Sequence, residues 1–405
     1  MSFKWSTLGE LSIGGGKYGI SAPAVEFDRN LPAYLRITDI NDDGSLNLSG
    51  RKSVADPLAF DYMLQEGDIV FARTGSSTGR NYYYDLRDGD FAFAGFLIKF
   101  SLDKEKVNPR FIKYYVQSKP YWDWVSSFNT GSTRGNINAK TYAQMPVPLP
   151  DRDVQDAIVC LCDSLSNKIR INNRLNDYLA DLLQALQKQI EGTEELAEFR
   201  ADELFDIHIG KTPPRKEPEW FSLDRAGNVI WMSIKDMGSG DVYLIDSSEY
   251  LTAEAVEKHN VKKCSPGSIL LSFKLTIGRV GIAANEMVTN EAIACFSSDD
   301  SRKLAYLYPL LKSYDYTSLG STSSIATAVN SRMIKAMTIK MPSSAALDRY
   351  YAQTKPIYDL LLDNTREAAA LAELRDALLP KLMSGELDVS EVELSTQLNN
   401  HLCAG

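Results

Sequence analysis

The chain has 405 residues, 44% hydrophobic and 24% charged, a globular composition that excludes collagen-like, mucin-like and wholly disordered classes. At roughly 150 residues per domain, it accommodates two to three domains, each large enough for its own core. The net charge of −9 argues at first sight against a nucleic-acid partner, but residues 1–150 carry +1 and 197–343 carry −1, whereas 151–196 carry −4 and 344–405 carry −5. The acid is confined to two short segments, and the basic residues of two near-neutral domains remain able to gather on one face.

Residues 1–150 read as short strands punctuated by Gly, Asn, Asp and Pro, with apolar runs at 68–72 and 91–100 and a helical stretch at 109–117. The period then changes. Positions 161, 165, 168, 172, 175, 179, 182 and 186 alternate spacings of four and three, the seam of a coiled coil on a helix from about 153 to 190. Residues 197–343 return to the strand-rich plan, with an apolar run at 268–273 and a helical stretch at 304–312. Positions 360, 364, 367, 371, 374 and 378 then repeat the seam. Pro150 with Asp151, and Pro342 with Ser343 and Ser344, provide the breaker and cap ahead of each helix. The expected seam residues are Leu165, Asn172, Leu175, Leu179, Leu182 and Leu186 on one helix and Leu360, Asn364, Leu371, Leu374 and Leu378 on the other. Asn172 and Asn364 hold the same seam position, where a polar residue weakens packing but penalises wrong registers. Antiparallel pairing places them opposite one another.

The chain therefore repeats one plan at an offset of about 190–200 residues. Leu35-Arg36-Ile37-Thr38-Asp39-Ile40 corresponds to Met232-Ser233-Ile234-Lys235-Asp236-Met237, and Glu66-Gly67-Asp68-Ile69-Val70 to Pro266-Gly267-Ser268-Ile269-Leu270. Gly131-Ser132-Thr133 corresponds to Gly320-Ser321-Thr322, and Ile137-Asn138-Ala139-Lys140 to Val329-Asn330-Ser331-Arg332. The fold class that follows is α+β: two pseudo-repeated mixed α/β domains, 1–150 and 197–343, separated by two long helices, 151–196 and 344–387, that form an antiparallel coiled coil, with a tail at 388–405.

Catalytic patterns are missing. Gly14-Gly15-Gly16-Lys17 lacks the Ser or Thr of a phosphate-binding loop, and Pro213-Pro214 disfavours a helix after Gly210-Lys211-Thr212. No dinucleotide fingerprint and no nucleophile elbow occur. His208, His259 and His401 have no ligand-spaced partner, and the cysteines at 160, 162, 264, 295 and 403 lack framework spacing. Neither a metal nor a disulfide scaffold is expected, and a reducing cytoplasm is. No apolar run reaches the 18 or so residues of a membrane span.

What remains is small, polar and basic. Arg73-Thr74-Gly75-Ser76-Ser77-Thr78-Gly79-Arg80 follows a strand, a context in which backbone N–H groups reach phosphate and an arginine reaches a guanine edge. Lys274, Thr276 and Arg279 hold the corresponding place in the second copy. The same reading extends to Lys17 and Tyr18; to Arg134, Asn136, Asn138 and Lys140; to Lys211, Thr212, Arg215 and Lys216; and to Ser321, Thr322, Asn330 and Arg332. A flexible hairpin tip and turn-capping asparagines account for the same residues equally well.

The duplication, residues 35–40, the segment Gly67-Asp68-Ile69-Val70-Phe71-Ala72-Arg73-Thr74-Gly75, and the run Leu374-Arg375-Asp376-Ala377-Leu378-Leu379-Pro380-Lys381-Leu382-Met383-Ser384-Gly385-Glu386-Leu387 resemble the DNA-specificity subunit of type I restriction-modification enzymes. So do residues 211–216 and 230–237. The resemblance covers residues 1–387. It implies a non-catalytic, cytoplasmic subunit with two target-recognition domains, each reading half of an asymmetric bipartite sequence in double-stranded DNA, and two helices that act as a ruler and dock two methyltransferase subunits. A further restriction and translocase subunit would join them. S-adenosylmethionine, ATP and Mg would serve those partners, with no cofactor bound by this chain. The rival expectation is a coiled-coil scaffold whose domains bind protein or carbohydrate.

Overall fold

The computed structural model describes residues 3–48, 50–128, 135–239, 241–319 and 329–389. Arg134, Ser321 and Thr322 lie outside them. The chain divides into two compact units, Met1–Asn167 with Leu371–Gly405, and Lys168–Ala370.

In the first unit, Lys4–Thr7 pairs antiparallel with Pro146–Leu149 and ties the ends of the domain together. Between them lie two four-stranded sheets. One has the order Lys17–Tyr18, Leu97–Ser101, Asp68–Ala72, Asn81–Tyr83, and the other Ala24–Glu26, Lys52–Val54, Ala33–Leu35, Phe91–Phe93. Asp68–Ala72 is buried along its whole length, which explains its unbroken apolar run. The run 91–100 is not one strand, as its composition suggests. A turn at Gly95, where Leu97 N–H donates to Ala94 O at 2.8 Å, breaks it and sends its halves into different sheets. Helices Pro109–Tyr115 and Lys119–Ser126 help complete a core containing Phe71, Phe100, Phe111, Tyr121 and Tyr142.

The second unit repeats this plan with two five-stranded sheets. One runs Asp206–Ile209, Ile293–Ser297, Ile269–Ser272, Val280–Ala283, Tyr243–Leu244; the other runs Phe221–Ser222, Tyr250–Thr252, Asn228–Met232, Met287–Thr289, Lys263–Cys264. Strand register fixes the equivalences. Lys99 stands opposite both Lys17 and Val70, as Cys295 stands opposite both His208 and Leu270. Gly19 therefore corresponds to Gly210. A Cβ on either would collide with the carbonyl oxygen of an equivalent residue, Phe93 or Thr289, so both must be glycine. Lys211 has Ile20, not Lys17, as its counterpart.

The long helices are Arg152–Thr193 and Ser344–Ser384. Within the second unit they run antiparallel: Lys168 pairs with Glu367 at 3.1 Å, and Asn176 donates to Thr365 Oγ1 at 3.0 Å. Asn172 and Asn364 are both buried at this contact, as expected. Their amides do not bond each other side chain to side chain. Asn172 Nδ2 donates to Glu367 at 2.7 Å, and Asn364 Nδ2 donates to Asn176 Oδ1 at 3.0 Å. Hydrogen bonds from Asn172 and Lys168 hold the Glu367 carboxyl below its ordinary pKa. In the first unit the other ends of the same helices join one core through Leu161, Leu165, Leu379 and Leu382, with Leu371 and Leu378 partly buried against it.

The seam departs from expectation away from Asn172 and Asn364. Leu175, Leu182, Leu360 and Leu374 are exposed, and Leu183 and Leu361 are buried instead. Leu179 and Leu186 are partly buried. A repeat of 3.5 residues holds only where helices supercoil. Starting from the two asparagines the stripe runs through 176, 183 and 187 on one helix and through 361 and 368 on the other, so the expected alternation of four and three is out of phase by one residue beside each asparagine. The buried positions 161, 165, 172, 183 and 187 follow the straight-helix period.

Candidate nucleic-acid interface

In the first domain, three stretches well separated in sequence converge on Arg73, which emerges at the end of the buried strand Asp68–Ala72. The hairpin beyond it is closed by Ala72 N–H to Arg80 O at 2.7 Å and Gly79 N–H to Ala72 O at 3.0 Å. The Arg73 guanidinium lies over the Tyr18 ring at 5.0 Å, within cation–π range. The Tyr18 hydroxyl accepts from Ala139 N–H at 3.2 Å, Arg73 O accepts from Ile137 N–H at 3.0 Å, and the Thr78 hydroxyl donates to Gly135 O at 2.8 Å. Tyr18, Arg73, Thr78 and residues 135–139 thus meet at one patch; Lys17, Tyr18, Ser76, Asn136 and Lys140 are exposed, and Arg73 and Thr74 are half-buried. Arg73 Nε has no hydrogen-bond partner, and among the described residues no carboxylate pairs with this guanidinium. An uncommitted arginine braced on an aromatic ring is suited to a nucleotide, offering a planar fork to a base edge or a phosphate.

Sequence reading misses Phe96, whose carbonyl accepts from Arg73 N–H at 3.1 Å and whose ring is exposed beside the patch. Within the apolar run 91–100 it passes for core, and Gly95 is the only signal that the chain turns there.

Several expected contact residues serve their own fold instead. Arg80 pairs with Asp42 at 2.7 Å and donates to Ile40 O at 3.1 Å. Arg279, its structural counterpart, donates to Ile234 O at 2.6 Å. Both guanidiniums latch the hairpin to the loop that follows the strand Ala33–Leu35 or Asn228–Met232. On the latter loop, burial acts to raise the Asp236 carboxyl pKa, but hydrogen bonds from Ser233 and Ser248 outweigh it and leave it below its ordinary value. Ser77 is buried. Asn138 caps the helix Ala139–Ala143 by accepting from Thr141 N–H at 2.9 Å, and Asn330 caps Ser331–Ala336 by accepting from Arg332 and Met333 N–H at 3.0 and 3.1 Å. Both amide oxygens are engaged in helix caps, the structural use that the sequence left open for these two residues.

In the second domain Lys211 Nζ donates to His259 O at 2.7 Å, and the Thr212 hydroxyl donates to Glu291. Arg215 forks onto Glu249 at 2.7 and 2.9 Å and lies over Phe221 and Trp231 at 4.1 and 4.6 Å. These three are engaged within the domain. Lys216, Lys274, Thr276 and Arg332 are exposed. Lys274 opens a hairpin tip whose next residue, Leu275, is fully exposed at φ +60°.

Outside this patch, His208, Cys264 and Cys295 come together in the interior of the second domain with their possible ligand atoms within 4.8 Å of one another. Their separation in sequence hides it. No helix among the described residues is long and apolar enough to cross a membrane.

The model of the type I restriction modification DNA specificity domain matches residues 32–180 and 193–361. The HindI specificity subunit of Haemophilus influenzae is 21% identical over 467 residues, covering 93% of this chain and 99% of that one. The MjaIX specificity subunit of Methanocaldococcus jannaschii is 22% identical over 321 residues, 72% of each chain. The crystal structure of the type I restriction-modification S subunit of M. genitalium aligns over 94% of this chain and 96% of its own at 16% identity, with a TM-score of 0.48.

Proposed function

Since the chain belongs to the type I restriction-modification DNA specificity family, whose model matches both of its halves, we propose that it selects the DNA site on which partner subunits act. Each domain reads one half of a bipartite target, and the unlike residues around Arg73 and Lys274 make the two halves different, so the target is not palindromic. The long helices dock two methyltransferase subunits and, through them, the restriction and translocase subunits. S-adenosylmethionine, ATP and Mg belong to those partners, and this chain contributes recognition and not chemistry. The observation that carries the reading is the convergence of Tyr18, the Arg73 loop and residues 135–139 on an arginine that has no carboxylate partner among the described residues.

The test is Arg73→Ala in the complex reconstituted with its methyltransferase partners. Binding to the cognate duplex is expected to weaken by about 1–3 kcal/mol, with relaxed preference at one base pair of one half-site. Titrations against a panel of single-base variants measure both. A loss equal for all sequences assigns Arg73 to phosphate, and unchanged affinity removes the patch from the interface. Arg80→Ala serves as the comparison, because its guanidinium anchors the hairpin.

A further inference from the structure

We propose that the second domain binds one zinc ion between its two sheets, held by His208, Cys264 and Cys295. His208 and Cys295 are direct cross-strand partners on Asp206–Ile209 and Ile293–Ser297. Cys264 approaches from Lys263–Cys264, a strand of the other sheet. All three are buried, and Cys264 Sγ lies 3.6 Å from His208 Nε2. Zinc–sulfur and zinc–nitrogen bonds of about 2.3 and 2.0–2.1 Å at a tetrahedral angle put sulfur and nitrogen about 3.6 Å apart.

A fourth group is at hand. The Thr289 hydroxyl, on the strand adjacent to that of Cys264, is buried without a hydrogen-bond partner. The three protein ligands define the site, and a neutral oxygen, this hydroxyl or a water, takes the fourth position. Two thiolates, a neutral imidazole and a neutral oxygen around Zn²⁺ carry no net charge, so the group is buried without an uncompensated ion. Binding replaces two S–H bonds by two Zn–S bonds and releases two protons, with no change of oxidation state.

The first domain provides an internal comparison. At the positions equivalent to His208, Cys264, Thr289 and Cys295 it has Lys17, Leu64, Phe93 and Lys99, none of them a usual zinc ligand. Lys99 there pairs with buried Asp68 at 2.8 Å, and the counterpart of Asp68 in the second domain is Ser268. The three ligand positions change together to residues that bind zinc, and the carboxylate that balances Lys99 disappears with it. A metal linking the two sheets explains the joint change, and packing alone does not require it.

The full chain, purified under reducing conditions from cells supplied with zinc, is assayed for metal by mass spectrometry. It is then stripped with a chelator and titrated with Co²⁺. The expected result is about one zinc per chain, and on cobalt addition the visible bands of a tetrahedral site with thiolate charge transfer in the near ultraviolet. Cys295→Ser and His208→Ala should each lower the zinc content about tenfold or more. Folded wild-type protein with no bound zinc and no tetrahedral cobalt bands overturns the proposal. So does a Cys264–Cys295 disulfide found by peptide mapping of anaerobically purified chain. The cobalt titration of the wild type stands even where a variant fails to fold.

Discussion

Leu361→Ala is expected to destabilise the second unit by about 2–5 kcal/mol, and Leu360→Ala by less than about 1 kcal/mol. The two leucines are neighbours on one helix and differ only in the face they occupy. Leu361 is 0% exposed within the core that holds Leu183, Tyr350 and Tyr358, whereas Leu360 is 42% exposed. Truncating Leu361 removes three carbons from contact and leaves a cavity lined by rings that cannot all move into it. Urea unfolding followed by circular dichroism separates the two. Equal midpoints for the variants, or a larger loss for Leu360→Ala, would return the seam to the unbroken heptad read from the sequence.

The second large effect concerns the length of the helices. Seven residues inserted into each, at apposed positions beside Asn172 and Asn364, add about 10.5 Å of rise, close to three base pairs of duplex at 3.4 Å. Because a heptad returns nearly to the same helical face, within about 20°, the buried stripe and the amide contacts persist, and the variants should fold. If helix length sets the gap between half-sites, binding to the original target falls by about 1,000-fold or more, toward the non-specific level. Sequencing methylated adenines in cells that carry the lengthened chain measures the outcome. Methylation retained at the original sites would count decisively against the ruler.

Much of this was legible in the residues. Continuous apolar runs mark buried strands whatever their partners, so Asp68–Ala72 and Ile269–Ser272 stand out. The two long helices follow from their period, and the burial of Asn172 and Asn364 from a polar residue recurring in an apolar stripe. What was illegible depended on contacts between distant residues. Nothing local distinguishes an arginine left without an internal partner from one that latches a loop: Arg73 and Arg80 bracket the same glycine-rich hairpin, and only Asp42 and Ile40 O mark the second as structural. Asn138 and Asn330 resemble base readers until Thr141 and Arg332 N–H are seen to occupy their oxygens. His208, Cys264 and Cys295 come from three strands, and strand pairing sets their proximity where motif spacing cannot. The shift of the stripe from Leu360 to Leu361 lies below the resolution of a heptad count.

The amide cluster at Asn172 and Asn364 also limits how the helices fluctuate. Sliding one past the other by a turn would carry both asparagines away from Glu367 and Asn176 and leave them facing hydrocarbon, at about 1–3 kcal/mol for each orphaned group. Against thermal energy of about 0.6 kcal/mol, the slipped arrangement is populated at a few per cent at most. Within the second unit the cluster acts as a detent that holds the two helix segments in a single register.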